Sequence, residues 1–284
     1  MADSSAATRY PLTVTDDQGT KVTFAAKPNH VVSLAPSATE TIYAVGGGDS
    51  LIAGTQYDNY PPEAKAKALI KGLKPGLETI VSYQPDLVLA TPSNSADLIQ
   101  QLRVTHVAVL YLDATDFQGV YHDVQMVGQV LDDTPAAQQV VAGMRTKVGD
   151  VTAKTGHAST RPRVFDEISG DDPTKPFTAG PGSFIDSMIT LAGGVNVAHD
   201  AKTAYPQFSL EALVAADPQV IVLDDAAYGA TPDAVAKRNG WSGMSAVKDH
   251  HVYPINDDLV SRAGPRLADG LVAMARLIHP ELFP

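Results

Sequence analysis

A short pattern of apolar and polar residues occurs twice in the chain. Residues 77–90 read LETIVSYQPDLVLA, and residues 210–223 read LEALVAADPQVIVL. In each copy a Leu-Glu pair begins a short helical pattern, a Pro ends it, and an apolar run typical of a buried strand follows. Glu78 and Glu211 occupy the same place in the two copies. This repeat predicts two similar α/β lobes, each carrying one Glu at the start of a helix.

Other strand and helix patterns alternate along the rest of the chain. Residues 11–27 alternate around DDQG, which predicts a β-hairpin. Ser37 and Glu40 have the spacing of a capping box, so a helix is expected to begin at Ser37. Trp241 lies in a segment with helical character, where core packing is the expected role. Further strands are predicted at 30–36, 51–56, 107–112, 161–169 and 251–256, and further helices near 94–102, 116–131, 176–194 and 265–283.

The longest helical pattern covers residues 134–156. Thr134 is the expected cap, Pro135 suits the first helical turn, and apolar positions recur with a period near 3.6. We expect one helix, 134–157, to join an N-terminal lobe at 9–133 to a C-terminal lobe at 158–284. Alternating strands and helices predict parallel sheets, which bind ligands beyond the carboxyl ends of their strands. The expected fold is therefore α/β with a ligand cleft between two lobes.

The net charge and the absence of cysteine limit the kinds of partner and chemistry that this chain can have. The 284 residues carry a formal net charge of −11, with a pI near 5. This balance disfavours nucleic acid and anionic membrane surfaces, which attract clustered Lys and Arg. Cysteine is absent, which excludes disulfides and thiolate chemistry. The start MADSSAATRY has no leader pattern, which leaves a cytosolic protein and an exported mature chain both open.

Common catalytic motifs are missing from the chain. It contains no phosphate-binding G-x-x-x-x-G-K-[ST], no H-E-x-x-H zinc motif and no G-x-S-x-G elbow. Adjacent residues in or near a strand point to opposite faces, so the pair His250-His251 is interpreted as a surface pair rather than a metal site. No metal site is predicted.

Several aromatic and charged residues lie in predicted loops, most of them after a strand and Tyr205 just before the second repeat copy: Tyr57, Tyr60, Phe177, Tyr205, Asp258 and Arg262. Aromatic rings at strand ends suit a large flat or apolar ligand, and an Asp/Arg pair can bond to amide or carboxylate edges. The alternative is that the rings pack over the sheet ends. Glu78 and Glu211 likewise have two interpretations. They complement helix dipoles, or they dock onto a dimeric partner with paired Arg sockets.

The chain resembles the substrate-binding proteins of the ABC importers for cobalamin, iron-siderophores and haem. The resemblance runs from about residue 10 to the end and is carried by VVSLAPSATETIYAVG, PGLETIVSYQPDLVLA, PFTAG, SLEALVAADPQVIVL and SRAGPR. Within that family, YDNYPPEAK, YPQFSLE and DDLVSRAGPR resemble segments of the cobalamin-binding members. The resemblance implies the class III periplasmic-binding-protein fold, with two Rossmann-like lobes joined by a rigid helix.

By matching position, the resemblance implies that Tyr57, Phe177, Tyr205, Asp258 and Arg262 contact a corrinoid, with Tyr60 close by. It also implies that Glu78 and Glu211 engage the two permease subunits of the importer. Tyr205 stands where the cobalamin-binding members have Trp. Two other Trp positions of those members fall on Gly72 and Thr91, which are not aromatic.

The function implied is capture of cobalamin or a related corrinoid for an ABC importer, without catalysis and with the corrinoid as cargo rather than cofactor. The expected location is periplasmic or lipid-anchored outside the cytoplasm, and the expected state is a monomer. One alternative is a ferric-siderophore-binding or haem-binding member of the same family. The segment ALIKGLKPG lacks the Tyr that ligates iron in the haem-binding members. A more distant alternative is an α/β enzyme that uses the cleft, with Asp258 as the obvious candidate base.

Overall fold

The structure is a computed structural model that describes residues 8–72 and 74–283. The chain divides into two compact units. The first comprises the chain up to Gly143 together with Ala263–Pro265, and the second comprises Met144–Arg262 and the chain from Arg266 onward. The boundary at Gly143 falls inside the long helix that the sequence predicts. The lobe limits inferred from the sequence stay a prediction.

The first unit contains a hairpin and a parallel sheet. Strands β1 (Leu12–Thr15) and β2 (Lys21–Phe24) pair antiparallel around a turn at Gly19, which confirms the predicted hairpin. The sheet has the order β5-β4-β3-β6-β7, and all its pairings are parallel. Its strands are β3 (Val31–Ser33), β4 (Leu51–Thr55), β5 (Ala68–Ile70), β6 (Leu87–Ala90) and β7 (Val109–Tyr111).

The helices that begin in the first unit are α1 (Pro36–Ala44), α2 (Leu77–Val81), α3 (Ala96–Val104), α4 (Phe117–Val130) and α5 (Thr134–Thr155). The predicted capping box at Ser37 is wrong. The N-cap is Ala35, two residues earlier, and helix α1 starts at Pro36, whose fixed φ suits a first helical turn. Glu40 is consequently the fifth helical residue, and it is buried.

Helix α5 confirms the long helical pattern, but its cap differs from the prediction. The helix already includes Thr134, and the carboxylate of Asp133 accepts a hydrogen bond from the backbone N–H of Ala136 at 3.2 Å. The cap therefore lies one residue before the predicted one, on a side chain that accepts well from helix N–H groups. In the described part of the chain, no helix is long and apolar enough to span a bilayer.

The second unit is built around a four-stranded parallel sheet of order β11-β10-β8-β9. Its strands are β8 (Arg163–Glu167), β9 (Val195–Asn196), β10 (Val220–Leu223) and β11 (Val252–Pro254). Its helices are α6 (Phe184–Leu191), α7 (Leu210–Ala216), α8 (Pro232–Ala236), α9 (Ser245–Lys248), α10 (Asp257–Val260) and α11 (Leu267–Ile278). The predicted α/β class with parallel sheets is confirmed.

The two sheets have similar topologies. In each, the first strand (β3 or β8) lies inside, the chain adds strands on one side (β4 and β5, or β9), and it then returns to add two strands on the other. The repeated motif occupies equivalent places. Helices α2 and α7 end before Gln84 and Asp217, both of which have positive φ values, 51° and 44°. Pro85 and Pro218 follow, and then the fully buried strands β6 and β10.

Each unit has its own apolar core. In the first, β3, β6 and β7 pack against α3 through residues such as Val32, Val88 and Leu102. In the second, Trp241 is fully buried, its ring meets Phe165 edge-on, and its indole N–H donates to the carbonyl of Pro173 at 3.0 Å. Core packing, predicted for Trp241 from the sequence, is therefore confirmed.

Candidate ligand-binding site

In parallel sheets the loops after the carboxyl ends of strands form ligand sites, most often where the strand order reverses. That reversal lies between β3 and β6 in the first unit and between β8 and β10 in the second. The residues predicted to contact a ligand are found after β4, β8, β9 and β11. Each unit therefore presents its predicted residues at the carboxyl ends of its own sheet.

In the first unit, Tyr57 and Tyr60 lie in the loop after β4, and each keeps 45% of its surface exposed. The loop is fixed by the buried carboxylate of Asp58. It accepts hydrogen bonds from the hydroxyls of Thr39 and Thr55, both at 2.5 Å, and from the backbone N–H of Thr55 at 3.1 Å. Two exposed phenol rings are thus held on a loop that has a buried polar anchor.

In the second unit, Phe177 lies on a short ribbon beyond β8. Its backbone N–H donates to the carbonyl of Ser169 at 2.9 Å, and Ile168 donates back to the Phe177 carbonyl at 2.9 Å. A second bridge joins Phe177 to Gln207. The ring remains 42% exposed although its backbone is paired on both sides. The pairing fixes the backbone from which the ring projects, while the exposed ring surface is available for contact with a ligand.

Tyr205 precedes the same ribbon and is 60% exposed. Partial burial of its hydroxyl, together with the nearby charge of Asp224, raises the pKa of Tyr205 above its usual value. Its phenol therefore stays protonated at neutral pH and can donate a hydrogen bond. Tyr205 and Phe177 are the second unit's two exposed aromatic residues that the sequence predicted.

The predicted charged pair follows β11. Asp258 lies in α10, and its carboxylate forms an i,i+4 ion pair with the guanidinium of Arg262. The side chain of Asn256 caps this helix by accepting from the backbone N–H of Asp258 at 3.1 Å. A guanidinium carries five N–H donors in one planar group. The pair is mostly buried and therefore orients that donor set.

Sequence reasoning missed a carboxylate-rich group at the same end of the second sheet. Asp166 and Glu167 end β8, and Asp224 and Asp225 directly follow β10. The signal was available, because VFDE and IVLDD each place two acids at the end of an apolar run. Glu167 is neutralised by a bidentate ion pair with Arg238, at 2.5 and 2.9 Å.

The other carboxylates of this group have unusual titration behaviour. Asp166 is completely buried, and neither of its carboxylate oxygens has a hydrogen-bond partner among the described residues. Burial, together with the charges of Asp224, Asp225 and Glu167, raises the pKa of Asp166 well above its ordinary value. Burial and the charges of Asp257 and Asp225 raise the pKa of Asp224 to about 7. Perturbed carboxyl groups of this kind concentrate at binding sites.

Glu78 and Glu211 are the second residues of α2 and α7, and both side chains are exposed. Helix α7 is capped by the hydroxyl of Ser209, which accepts from the backbone N–H of Ala212, whereas α2 has no side-chain cap. The two carboxylates therefore occupy equivalent, solvent-accessible places.

Within the described residues, no three His, Asp or Glu side chains are arranged to hold a metal ion.

The pattern of the periplasmic binding protein family matches residues 31–259 of the chain. The chain belongs to this family. The sequence-based resemblance is thereby confirmed, as is the expectation of a location outside the cytoplasm, either periplasmic or lipid-anchored. The family is one of binding proteins that serve transport.

Relatives cover nearly the whole chain. An uncharacterized ABC transporter substrate-binding lipoprotein, YvrC from Bacillus subtilis, is 37% identical over 96% of this chain and 87% of its own. A cobalamin-binding protein from Halobacterium salinarum is 32% identical over 98% of this chain and 77% of its own. The crystal structure of the periplasmic vitamin B12-binding protein BtuF of Vibrio cholerae matches with a TM-score of 0.77 at 25% identity, covering 89% of this chain and 97% of that one.

Proposed function

We propose that this chain is an extracytoplasmic substrate-binding protein that captures cobalamin or a related corrinoid and delivers it to an ABC importer. The observation that carries the proposal is the similarity, along 98% of the chain, to a protein named for cobalamin binding. The exposed aromatic residues at the strand ends of each sheet support it. They provide flat apolar contacts of the kind that a corrin ring needs.

In this proposal the ligand contacts Tyr57, Tyr60, Phe177 and Tyr205 through their rings. Burial of each ring's exposed surface contributes about 25 cal/mol for every Å² removed from water. Arg262, oriented by Asp258, donates hydrogen bonds to carbonyl oxygens of the corrin's side-chain amides. The proposal involves no reaction, because capture and release of the cargo require only binding.

The test is isothermal titration calorimetry with cyanocobalamin, cobinamide, haemin and ferric siderophores. We expect a corrinoid to bind with a Kd of about 1 μM or lower, equivalent to about −8 kcal/mol. Absence of corrinoid binding in that range would overturn the proposal. Binding of a ferric siderophore instead would favour the alternative. That alternative is supported by a possible iron-binding protein of Staphylococcus epidermidis, matched with a TM-score of 0.78 at 25% identity.

We further propose that Glu78 and Glu211 dock a monomer of this protein onto the two permease subunits of the importer. Their equivalent exposed positions at the starts of α2 and α7 support this role. Two matched carboxylates suit a partner that presents one Arg socket on each of two related subunits.

A further inference from the structure

We propose that Asp224, Asp257 and Tyr228 form a specificity patch that favours ligands carrying N–H donors or positive charge and disfavours anionic ones. This inference rests on the proposed ligand site and names the chemical class that the site selects. None of the three residues was identified from the sequence. Together they lie in the segments that directly follow β10 and β11.

Asp224 lies where the strand order of the second sheet reverses. Its backbone N–H donates to the carbonyl of Glu167, the last residue of β8, at 2.9 Å. Only 6% of the residue is exposed, and its Oδ1 atom has no hydrogen-bond partner in the part of the chain that the structure describes. A buried carboxylate without a donor costs free energy, and a ligand N–H that bonds to the Asp224 carboxylate would recover part of that cost.

Tyr228 and Asp257 form the outer part of the patch. The Tyr228 hydroxyl donates to Oδ2 of Asp257 at 3.3 Å, and the Tyr228 ring is 83% exposed. A large ring left in solvent contributes little to the stability of the fold, so its contact surface remains free for a ligand. The hydroxyl keeps that ring beside the two carboxylates.

The charges around the patch are unbalanced. Two guanidinium groups of this unit are paired with carboxylates, since Arg238 pairs with Glu167 and Arg262 pairs with Asp258. Neither Asp224 nor Asp257 has a cationic side chain within 4.0 Å among the described residues. The local field therefore attracts cations and repels anions.

The candidate ligand classes differ in net charge and in the hydrogen-bond donors that they present to these carboxylates. Corrinoids carry several primary amides whose N–H groups can donate to Asp224 and Asp257, and aquocyanocobinamide also carries a positive charge. Haemin and tris-catecholate iron chelates present carboxylates or a high negative charge. A like charge at this place costs binding free energy, because Asp257 and the ionised fraction of Asp224 repel it.

The first experiment measures the affinities of aquocyanocobinamide, cyanocobalamin and haemin by calorimetry at low and high salt. The proteins are the unmodified chain, Asp257→Asn, Tyr228→Phe and the control Asp249→Asn, which changes an exposed carboxylate after α9. We expect Asp257→Asn to weaken aquocyanocobinamide binding by about twofold to fivefold and to reduce its salt dependence. Cyanocobalamin, which has no net charge, should change less, and haemin should bind more tightly.

The outcomes separate this inference from the proposed function. If corrinoids bind but Asp257→Asn alters neither the charge preference nor the salt dependence, the patch is wrong and the proposed function stands. If no corrinoid binds, the proposed function fails. The preference of the patch for cations and N–H donors is then tested with a probe that does not depend on the identity of the natural ligand.

That probe is hexaamminecobalt(III), a cation that presents only N–H donors, followed by two-dimensional NMR of the backbone amides. We expect concentration-dependent shifts at Asp224, Tyr228 and Asp257 that disappear in Asp257→Asn and persist in Asp249→Asn. The absence of shifts at these amides, or shifts unchanged in Asp257→Asn, would overturn the inference.

Discussion

The proposed binding surface consists of exposed aromatic side chains, two of which lie on or beside a hydrogen-bonded ribbon of the second unit. Phe177 is held by hydrogen bonds on both sides, and Tyr205 precedes the same ribbon, yet both rings face solvent. Exposed rings of this size remove a large apolar area from water when they contact a ligand. Their contribution to affinity should therefore be large for single side chains.

We predict that Tyr205→Ala and Phe177→Ala each weaken corrinoid binding by about 1–3 kcal/mol, or about fivefold to 150-fold in Kd. Calorimetry with cyanocobalamin measures the change. The matched control is Val214→Ala, because Val214 on α7 is as exposed as Phe177, at 42%. Equal small effects for all three variants would contradict a specific role of the rings.

A second residue-scale feature lies in the first unit, where the buried carboxyl of Asp123 on α4 shares a hydrogen bond with Asp17 in the β1–β2 turn. Burial first, and then the charges of Asp17 and Asp113, raise the pKa of Asp123 from 3.8 to about 9. The folded protein therefore holds a proton that the unfolded chain releases over this range. The contribution of Asp123 to the free energy of unfolding falls as pH rises from about 4 to about 9.

We predict that Asp123→Asn raises the Tm at pH 8.5 and shrinks the loss of Tm between pH 6 and pH 8.5. The amide keeps the shape of the protonated carboxyl and can still donate to Asp17, but it cannot ionise. Thermal unfolding followed by circular dichroism at the two pH values measures this. Asp97→Asn, an exposed change on α3, is the control. A pH dependence identical to that of the unmodified protein would exclude Asp123 as its source.

At the scale of elements, helix α5 contains two glycines that are exposed and have no neighbouring atoms around the position of an added Cβ, Gly143 and Gly149. Glycine destabilises a helix interior because its backbone loses the most freedom on folding. No close approach of another segment requires glycine at either position.

We predict that Gly149→Ala raises the free energy of unfolding by about 0.5–1 kcal/mol and leaves corrinoid affinity unchanged. Urea unfolding measures the first effect and calorimetry the second. Gly54→Ala is the contrasting variant, since its Cβ would lie 2.2 Å from the Asp58 carboxylate that anchors the Tyr57 loop. We expect that variant to be destabilised and to bind more weakly.

At the scale of the whole molecule, the repeat gives two units with similar parallel sheets, and each unit has one exposed Glu at the same place in the repeated motif. Acidic residues in a first turn stabilise a helix, which explains each Glu singly. Two equivalent carboxylates also suit a partner made of two related subunits. Docking and dipole stabilisation are distinguished by transport, because only docking affects uptake.

We predict that the double variant Glu78→Ala and Glu211→Ala binds ligand as well as the unmodified protein but supports little uptake by its importer in vesicles. The matched control is Asp97→Ala with Asp233→Ala, because these exposed acids are also the second residues of their helices, α3 and α8. Both doubles should lose about 0.3–1 kcal/mol of stability per site. Full uptake by the Glu double variant would rule out docking through these residues.

The sequence by itself determined the α/β class, the hairpin, the buried strands and the repeat, because these follow from local periodicity and from turn residues. It also singled out the exposed aromatic residues and the pair Asp258–Arg262, through loops at strand ends and a family resemblance. It failed at the caps of α1 and α5, where the choice between neighbouring residues depends on backbone geometry.

Only the tertiary structure showed that these carboxylates lie together, and the proposed specificity patch rests on that proximity. Asp166, Asp224 and Asp257 are far apart in the sequence, and strand pairing β8-β10-β11 places their segments side by side. The pKa of Asp224 is raised because the side chain is buried and lies close to other carboxylates. Neither burial nor the distance between these side chains can be read from the order of residues in the sequence. Periodicity encodes which residues face a core, whereas the electrostatic character of a site depends on which strands become neighbours.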